Sequence, residues 1–465
     1  MELCKRSACD LAAMIRRREA SAREVLDAHL ARIDAVNPKI HAITEVLRDE
    51  AIAAAARADA AVARGDDLGP LHGVPVSVKI NVDVAGSASS SGLAAFAGDR
   101  AAVDAPLVAR LRAAGAIPFA RTNMPDLGLR WHSANDLHGA TVNPWDPALT
   151  PGGSSGGEAA ALATGMTPLG IGNDVGGSVR WPSKCCGTTA LRPSLGRLPH
   201  HNPSLPMEAP VAFTMFLADG PMARSVRDLR AVLDACGGAS PADPWSVSPS
   251  VDPLPRPLRV AVTTDPAGMG CDPAIAAAVA KAADALRDAG CTVEQSEPPV
   301  LAEAHELWGT LLAAETRTAV MPFAGPLLTA DSATVIEQLV AAFPEVDLAG
   351  YMEALSRRTR VARDWAGFLG RYDVLLGPAC CRTPFPVGYD LTAGGMADIM
   401  RSMRLVTACN LLGLPAAVVP VGVEAGLPEA VQLISARHRD EACLAAAQML
   451  EDRFGAITPI DPHAA

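Results

Sequence analysis

From Val74 to Val84, Val74, Val76, Val78, Ile80, Val82 and Val84 alternate strictly with Pro75, Ser77, Lys79, Asn81 and Asp83. A period of two predicts a β-strand, one face apolar and the other carrying Lys79. Upstream the period changes to that of a helix. Ser21 with Glu24 three residues on reads as a capping box, and Val25, Leu26, His29, Leu30 and Ile33 follow until Asn37-Pro38 stops the run. An alanine-rich stretch from about Glu45 to Arg64 predicts a second helix. Helix then strand recurs at Asp104 to Gly115 with Ala116 to Ala120, and at Glu158 to Gly165 with Pro168 to Ile171.

Six prolines between Gly237 and Pro257 cannot sustain a helix, so this stretch is expected to be a surface crossover and a sub-lobe boundary. Beyond it, Leu258 to Thr263 predicts a strand, Asp272-Pro273 starts a helix that Gly290 ends, and Cys291 to Val293 resumes a strand. Long helices are expected from Leu301 to Leu369, and strands again at Tyr372 to Leu376 and Ala416 to Val421. The sum is an α/β chain whose mixed or parallel sheet is wrapped by helices.

The chain has 465 residues, 49% hydrophobic and 20% charged, enough to bury a sizeable interior. A net charge of −11 argues against nucleic acid or an anionic membrane as the main partner. Eleven cysteines without C-x-x-C spacing read as reduced, mostly buried thiols. The adjacent pairs Cys185/Cys186 and Cys380/Cys381 are poor metal or disulfide candidates, since neighbours on an extended chain point to opposite sides. Within Met1 to Ala20 the longest apolar stretch is Leu11 to Ile15, too short for a signal core or a membrane span. Cytoplasmic residence is therefore expected. Ten histidines show no metal-ligand spacing, so no metal or cofactor is expected.

The chemistry concentrates in two glycine-rich loops. In Thr150-Pro151-Gly152-Gly153-Ser154-Ser155-Gly156-Gly157-Glu158, four glycines frame two serines directly before a helix. Glycines permit unusual backbone angles and close approach, and the helix start offers free N–H groups. Taken alone the stretch also suits a flexible Gly/Ser loop; it fails as a phosphate loop for want of a following Lys, and Gly152-x-Ser154-x-Gly156 matches a nucleophile elbow only weakly. The second loop, Gly172-Asn173-Asp174-Val175-Gly176-Gly177-Ser178-Val179-Arg180, follows a strand and places Ser178 24 residues beyond Ser154. A Gly-Gly-Ser turn can aim successive N–H groups at one point, as an oxyanion on a serine-bound carbon requires. Gly170, Gly172 and Gly176 fit a dinucleotide loop poorly, because their spacing is G-x-G-x-x-x-G.

Together these loops and Gly73-Val74-Pro75-Val76-Ser77-Val78-Lys79 resemble the amidase signature family. The resemblance runs almost end to end, through Thr122-Asn123-Met124-Pro125, Asn143-Pro144-Trp145, Gly220-Pro221-Met222-Ala223-Arg224 and Gly413-Leu414-Pro415-Ala416. It implies a large twisted mixed β-sheet surrounded by helices, in one domain over residues 1–465 with a helical cap at about 301–400. It implies Ser178 as acyl-forming nucleophile, Ser154 in a cis peptide as proton bridge, and Lys79 as neutral base. The oxyanion hole would be Val175, Gly176, Gly177 and Ser178, with Ser155, Asp174 and Arg180 supporting. Gly128, Leu129 and Trp131 would line the acyl pocket. The reading is coherent because a lysine acts as a base only where burial lowers its pKa.

The sequence departs from the family at Ile80, Asn173, Lys184, Cys185 and Ala190, which bears on the substrate and on the network around the site. The expected activity is hydrolysis of an aryl or alkyl carboxamide, anilide, carbamate or ester through an acyl-enzyme, without cofactor, by a monomer or homodimer. Three alternatives stay open. They are a glutaminase subunit of a tRNA-charging complex, an α/β-hydrolase using Ser154 with His305 or His438, and a non-enzymatic scaffold.

Overall fold

The structure is a computed structural model and describes residues 2–205, 208–250 and 253–463. Its strands in chain order are β1 (Ile43–Val46), β2 (Pro75–Lys79), β3 (Ile117–Thr122), β4 (Ala134–Asn135), β5 (Gly139–Ala140), β6 (Leu169–Asp174), β7 (Thr189–Arg192), β8 (Ala218–Ala223), β9 (Arg259–Val262), β10 (Thr292–Gln295), β11 (Val374–Pro378), β12 (Ala416–Glu424) and β13 (Leu427–Ile434). Eleven of them form one sheet in the order β1-β3-β2-β6-β8-β7-β12-β13-β11-β9-β10, and β4 with β5 makes a separate short ladder. The sheet is mixed. β2 runs parallel to β3 and β6, whereas β6 with β8 and β12 with β13 are antiparallel.

The expected alternation at β2 is present, but the ladder is shorter than the pattern. After Lys79 the Ile80 N–H still reaches Thr122 O at 3.1 Å, then Val82 N–H turns back onto Lys79 O at 3.0 Å. Every residue of β2 is buried, so the polar face with Ser77 and Lys79 is inside the protein. Helices cover both faces of such a sheet, and its polar positions are then available only to internal chemistry.

Several boundaries differ from expectation. The first capping box is present, with Ser21 and Glu24 bonding reciprocally, but the helix Ala22–Ile40 passes through Pro38 instead of stopping there. Asn37 closes it from the side, its Oδ1 accepting from the Ala42 and Ile43 N–H groups at 2.9 Å each. The alanine-rich helix starts at Arg48, because Ile43–Val46 is claimed by β3 as an edge strand. Asp104 does not cap the helix Pro106–Ala113; its carboxylate takes the Ala85 N–H and Arg112 Nε instead, at 2.8 Å each.

The proline-rich crossover links the helix Val226–Cys236 to β9, which lies in the same sheet as the strands before it. Downstream the helices Leu301–Glu315, Ala330–Ala341 and Leu348–Leu369 follow as expected, with a π-helical turn at Thr316–Val320 after the first. Among the described residues no helix is long and apolar enough to cross a membrane.

Candidate active site

Parallel pairing of β2 with β6 sets Ser77 beside Gly170 and Val78 beside Ile171, so both strands end at one edge. Lys79 closes β2, while Asn173 and Asp174 close β6. The serine loops flank this edge, one leading into the helix Gly156–Ala163 and the other following β6. Carboxyl ends of strands are where open α/β sheets place their chemistry.

Lys79 is fully buried, and its Nζ lies 2.6 Å from Ser154 Oγ and 2.7 Å from Asn173 Oδ1. Burial pulls its amine down to about 7, against the carboxylates of Asp174, Asp219 and Glu158, which raise it. Near neutrality a large share of it is therefore neutral. Asn173 Nδ2 donates to Asn81 Oδ1 at 3.0 Å, which fixes the amide with its oxygen toward the lysine. Beneath this pair lies Glu158, accepting from Ser77 Oγ and, at 2.8 Å, from Thr122 Oγ1. Burial lifts its carboxyl to about 7 despite those bonds and Lys79. Gly170 makes room for it, since a Cβ there would sit 1.8 Å from Glu158 Oε1.

The peptide between Gly153 and Ser154 is cis. Ser133 braces the loop, its Oγ 3.0 Å from Gly152 O and 3.3 Å from Ser154 O while accepting the Gly156 N–H at 2.9 Å. The second serine of the pair joins the loops: Ser155 N–H donates to Ser178 O at 3.1 Å, and its Oγ lies 3.5 Å from Asn173 O. A side chain at Gly128 would come within 3.1 Å of Ser154 Oγ, so the approach to that hydroxyl depends on glycine.

Asp174 organises the loop of Ser178. It accepts Gly177 N–H at 2.8 Å and Val179 N–H at 3.2 Å, and pairs with Arg180 through Nε at 3.0 Å and Nη2 at 2.9 Å. Burial pushes its carboxyl up, but the charge and hydrogen bonds of Arg180, with Arg192 and Asn410, prevail and hold it below the usual carboxylate range. Arg180 in turn donates to Gln432 Oε1 and Asn410 Oδ1 at 2.7 and 2.6 Å. Of the four residues expected at the oxyanion hole, Gly177 has its N–H engaged by Asp174. Among the described residues no hydrogen bond engages the N–H groups of Val175, Gly176 and Ser178.

Beside Ser178 opens a narrow cavity, lined by Gly128, Leu129, Arg130, Trp131, Val175, Gly176, Trp308, Leu312 and Leu339. Arg130 does not present a free charge to it, because its guanidinium is paired with Asp390 at 2.6 and 3.1 Å. The lining is otherwise apolar.

Four participants are given no role of their own from the sequence: Asn173 as partner of Lys79, Asn81 behind it, Glu158 beneath, and Trp308 in the wall. In the sequence Asn173 stands out only as a departure from the family, and Trp308 belongs to a helix more than a hundred residues away. The histidines of the α/β-hydrolase alternative lie elsewhere. His305 Nδ1 is 2.8 Å from Thr407 Oγ1 and its ring stacks on Trp308, and the His438 N–H bonds Ser194 Oγ. Among the described residues no group of three or more His, Cys, Asp or Glu is placed to hold a metal.

Comparison with known proteins agrees with this architecture. Residues 24–444 match the Amidase family. The chain is 39% identical to the indoleacetamide hydrolase of Bradyrhizobium diazoefficiens, covering 97% of this chain and 87% of that protein. It is 32% identical to a glutamyl-tRNA(Gln) amidotransferase subunit from Salinispora arenicola, covering 98% and 99%. Among solved structures, 6-aminohexanoate cyclic dimer hydrolase complexed with substrate superposes with a TM-score of 0.85 at 28% identity, covering 99% of each chain. Fold and family thus define a hydrolase acting on the carbon–nitrogen bonds of linear amides. The chain belongs to the amidase family, the amidase signature enzymes.

Proposed function

We propose that the protein hydrolyses a primary carboxamide bearing an aromatic arm, of the arylacetamide class, through an acyl-enzyme on Ser178. The observation that carries this reading is the buried Lys79, with its amine near neutrality and 2.6 Å from Ser154 Oγ. Neutral Lys79 takes the Ser154 proton as Ser154 takes that of Ser178, whose oxygen attacks the amide carbon. The developing oxyanion is received by the N–H groups of Val175, Gly176 and Ser178. Return of the proton through Ser154 to the leaving nitrogen releases ammonia, and water then cleaves the ester by the same path.

The apolar cavity supports an aromatic arm, and the likeness to an indoleacetamide hydrolase points the same way. Eleven free cysteines fit a reducing, cytoplasmic setting. The test is a panel of phenylacetamide, indole-3-acetamide, short aliphatic amides, an anilide, a carbamate and glutamine, run on wild type and Ser178→Ala. Arylacetamides should give the highest kcat/KM with ammonia as product. Glutamine outpacing them would favour the amidotransferase role of the second relative instead.

A further inference from the structure

Two tryptophans with no part in the proton path grip the backbone of the Ser178 loop. Trp308 Nε1 donates to Val175 O and Trp131 Nε1 to Gly176 O, each at 2.9 Å. Both rings are buried, both line the cavity, and their centroids lie 6.4 Å apart. Trp308 is itself clamped between the stacked ring of His305 and the edge of Phe343.

The carbonyl and N–H of a trans peptide point in opposite directions, so holding one end aims the other. Trp131 holds the carbonyl of the 176–177 peptide, whose N–H is already held by Asp174. The 175–176 peptide is held at its carbonyl by Trp308, while its N–H, that of Gly176, is engaged by no hydrogen bond among the described residues. The ring also lies against Gly176 closely enough that a Cβ there would meet Trp308 Cζ2 at 2.7 Å.

We propose that Trp308, with Trp131 beside it, is a positioning residue of the oxyanion hole, so that the wall seating the substrate's arm also aims the Gly176 N–H. This rests on the assignment of Ser178 as nucleophile. An arm that fills the cavity packs on the same two rings, which places part of its binding energy in the chemical step. Amides without the arm therefore lose kcat as well as KM.

The test is Trp308→Phe, which keeps an aromatic wall and removes the N–H. With phenylacetamide, kcat should fall about 10-fold while KM stays within about twofold, the pattern of an interaction made in the transition state. Benzylboronic acid, which forms a tetrahedral adduct on a serine, should bind about 10-fold more weakly. Trp131→Phe should cost less, about threefold in kcat, because Asp174 still holds its peptide. An unchanged kcat with unchanged boronate affinity, or a rise in KM alone, overturns the proposal and leaves the indole as wall only. Should Trp308→Phe fail to fold by its thermal melt, Trp308→Leu, which also removes the N–H, decides, and an unchanged kcat there overturns it. Turnover retained by Ser178→Ala in the same assay would instead overturn the nucleophile assignment.

Discussion

Lys79 Nζ lies 2.7 Å from Asn173 Oδ1, and the other end of that amide donates to Asn81 Oδ1 at 3.0 Å. The lysine thus faces a neutral acceptor that cannot rotate to offer its nitrogen without losing Asn81. Asn173→Asp puts a carboxylate in the same place and favours the ammonium form. The alkaline-rising limb of kcat/KM should move up by about one pH unit or more, with the protein folded throughout. A limb left where it was would mean that Asn173 does not govern the charge of Lys79.

The limb itself has a predicted position. In the proposed mechanism Lys79 acts deprotonated, and with its amine held at about 7, kcat/KM should rise from about pH 6 and level off above about pH 8. Lys79→Arg should be inactive at every pH, since guanidinium keeps its proton. A rate that peaks below about pH 6 and then falls excludes a lysine base.

Glu158 has the opposite sign. Its carboxyl is raised from 4.5 to about 7, so the fold is stabilised by its protonated form below 4.5 and loses that stability as pH rises through about 7. Glu158→Gln removes this loss. Its Tm advantage over wild type should therefore grow between pH 4.5 and 7, and its kcat/KM limb should move to lower pH, because the Glu158 charge that raises the Lys79 pKa is gone. A Tm difference flat with pH would show that Glu158 does not titrate in this window.

Asp174→Asn should destabilise the protein strongly. The change leaves Arg180 buried without its counter-charge and weakens the bonds to the Gly177 and Val179 N–H groups, a loss of about 3 kcal/mol or more. Urea unfolding followed by tryptophan fluorescence measures it. A midpoint equal to wild type would mean that the Arg180 contacts to Gln432 and Asn410 suffice.

Local patterns made the candidate residues legible in the sequence, and tertiary pairing set what they left open. Alternation about Lys79 and the two Gly-Ser loops named the residues now found at one sheet edge. Burial of both faces of β2 was not legible, because alternation reports a polar face without saying whether water or protein meets it. The edge strand Ile43–Val46 overlaps the start of the expected helix at Glu45 and Val46, where pairing with β3 decides the conformation. Asn173 and Trp308 escaped for different reasons. The first differs from its family equivalent by a side chain whose role emerges only once Lys79 is placed, and the second reaches the loop from a separate helix.

The central claim is that Ser178, and not Ser154, carries the acyl group. Incubation with a serine-directed fluorophosphonate, followed by intact mass and peptide mapping of wild type and Ser178→Ala, tests it directly. One adduct on Ser178 in the wild type and none in Ser178→Ala is the predicted result, with Lys79→Ala labelled more slowly. An adduct mapped to Ser154 or to a cysteine, or full labelling of Ser178→Ala, would contradict it.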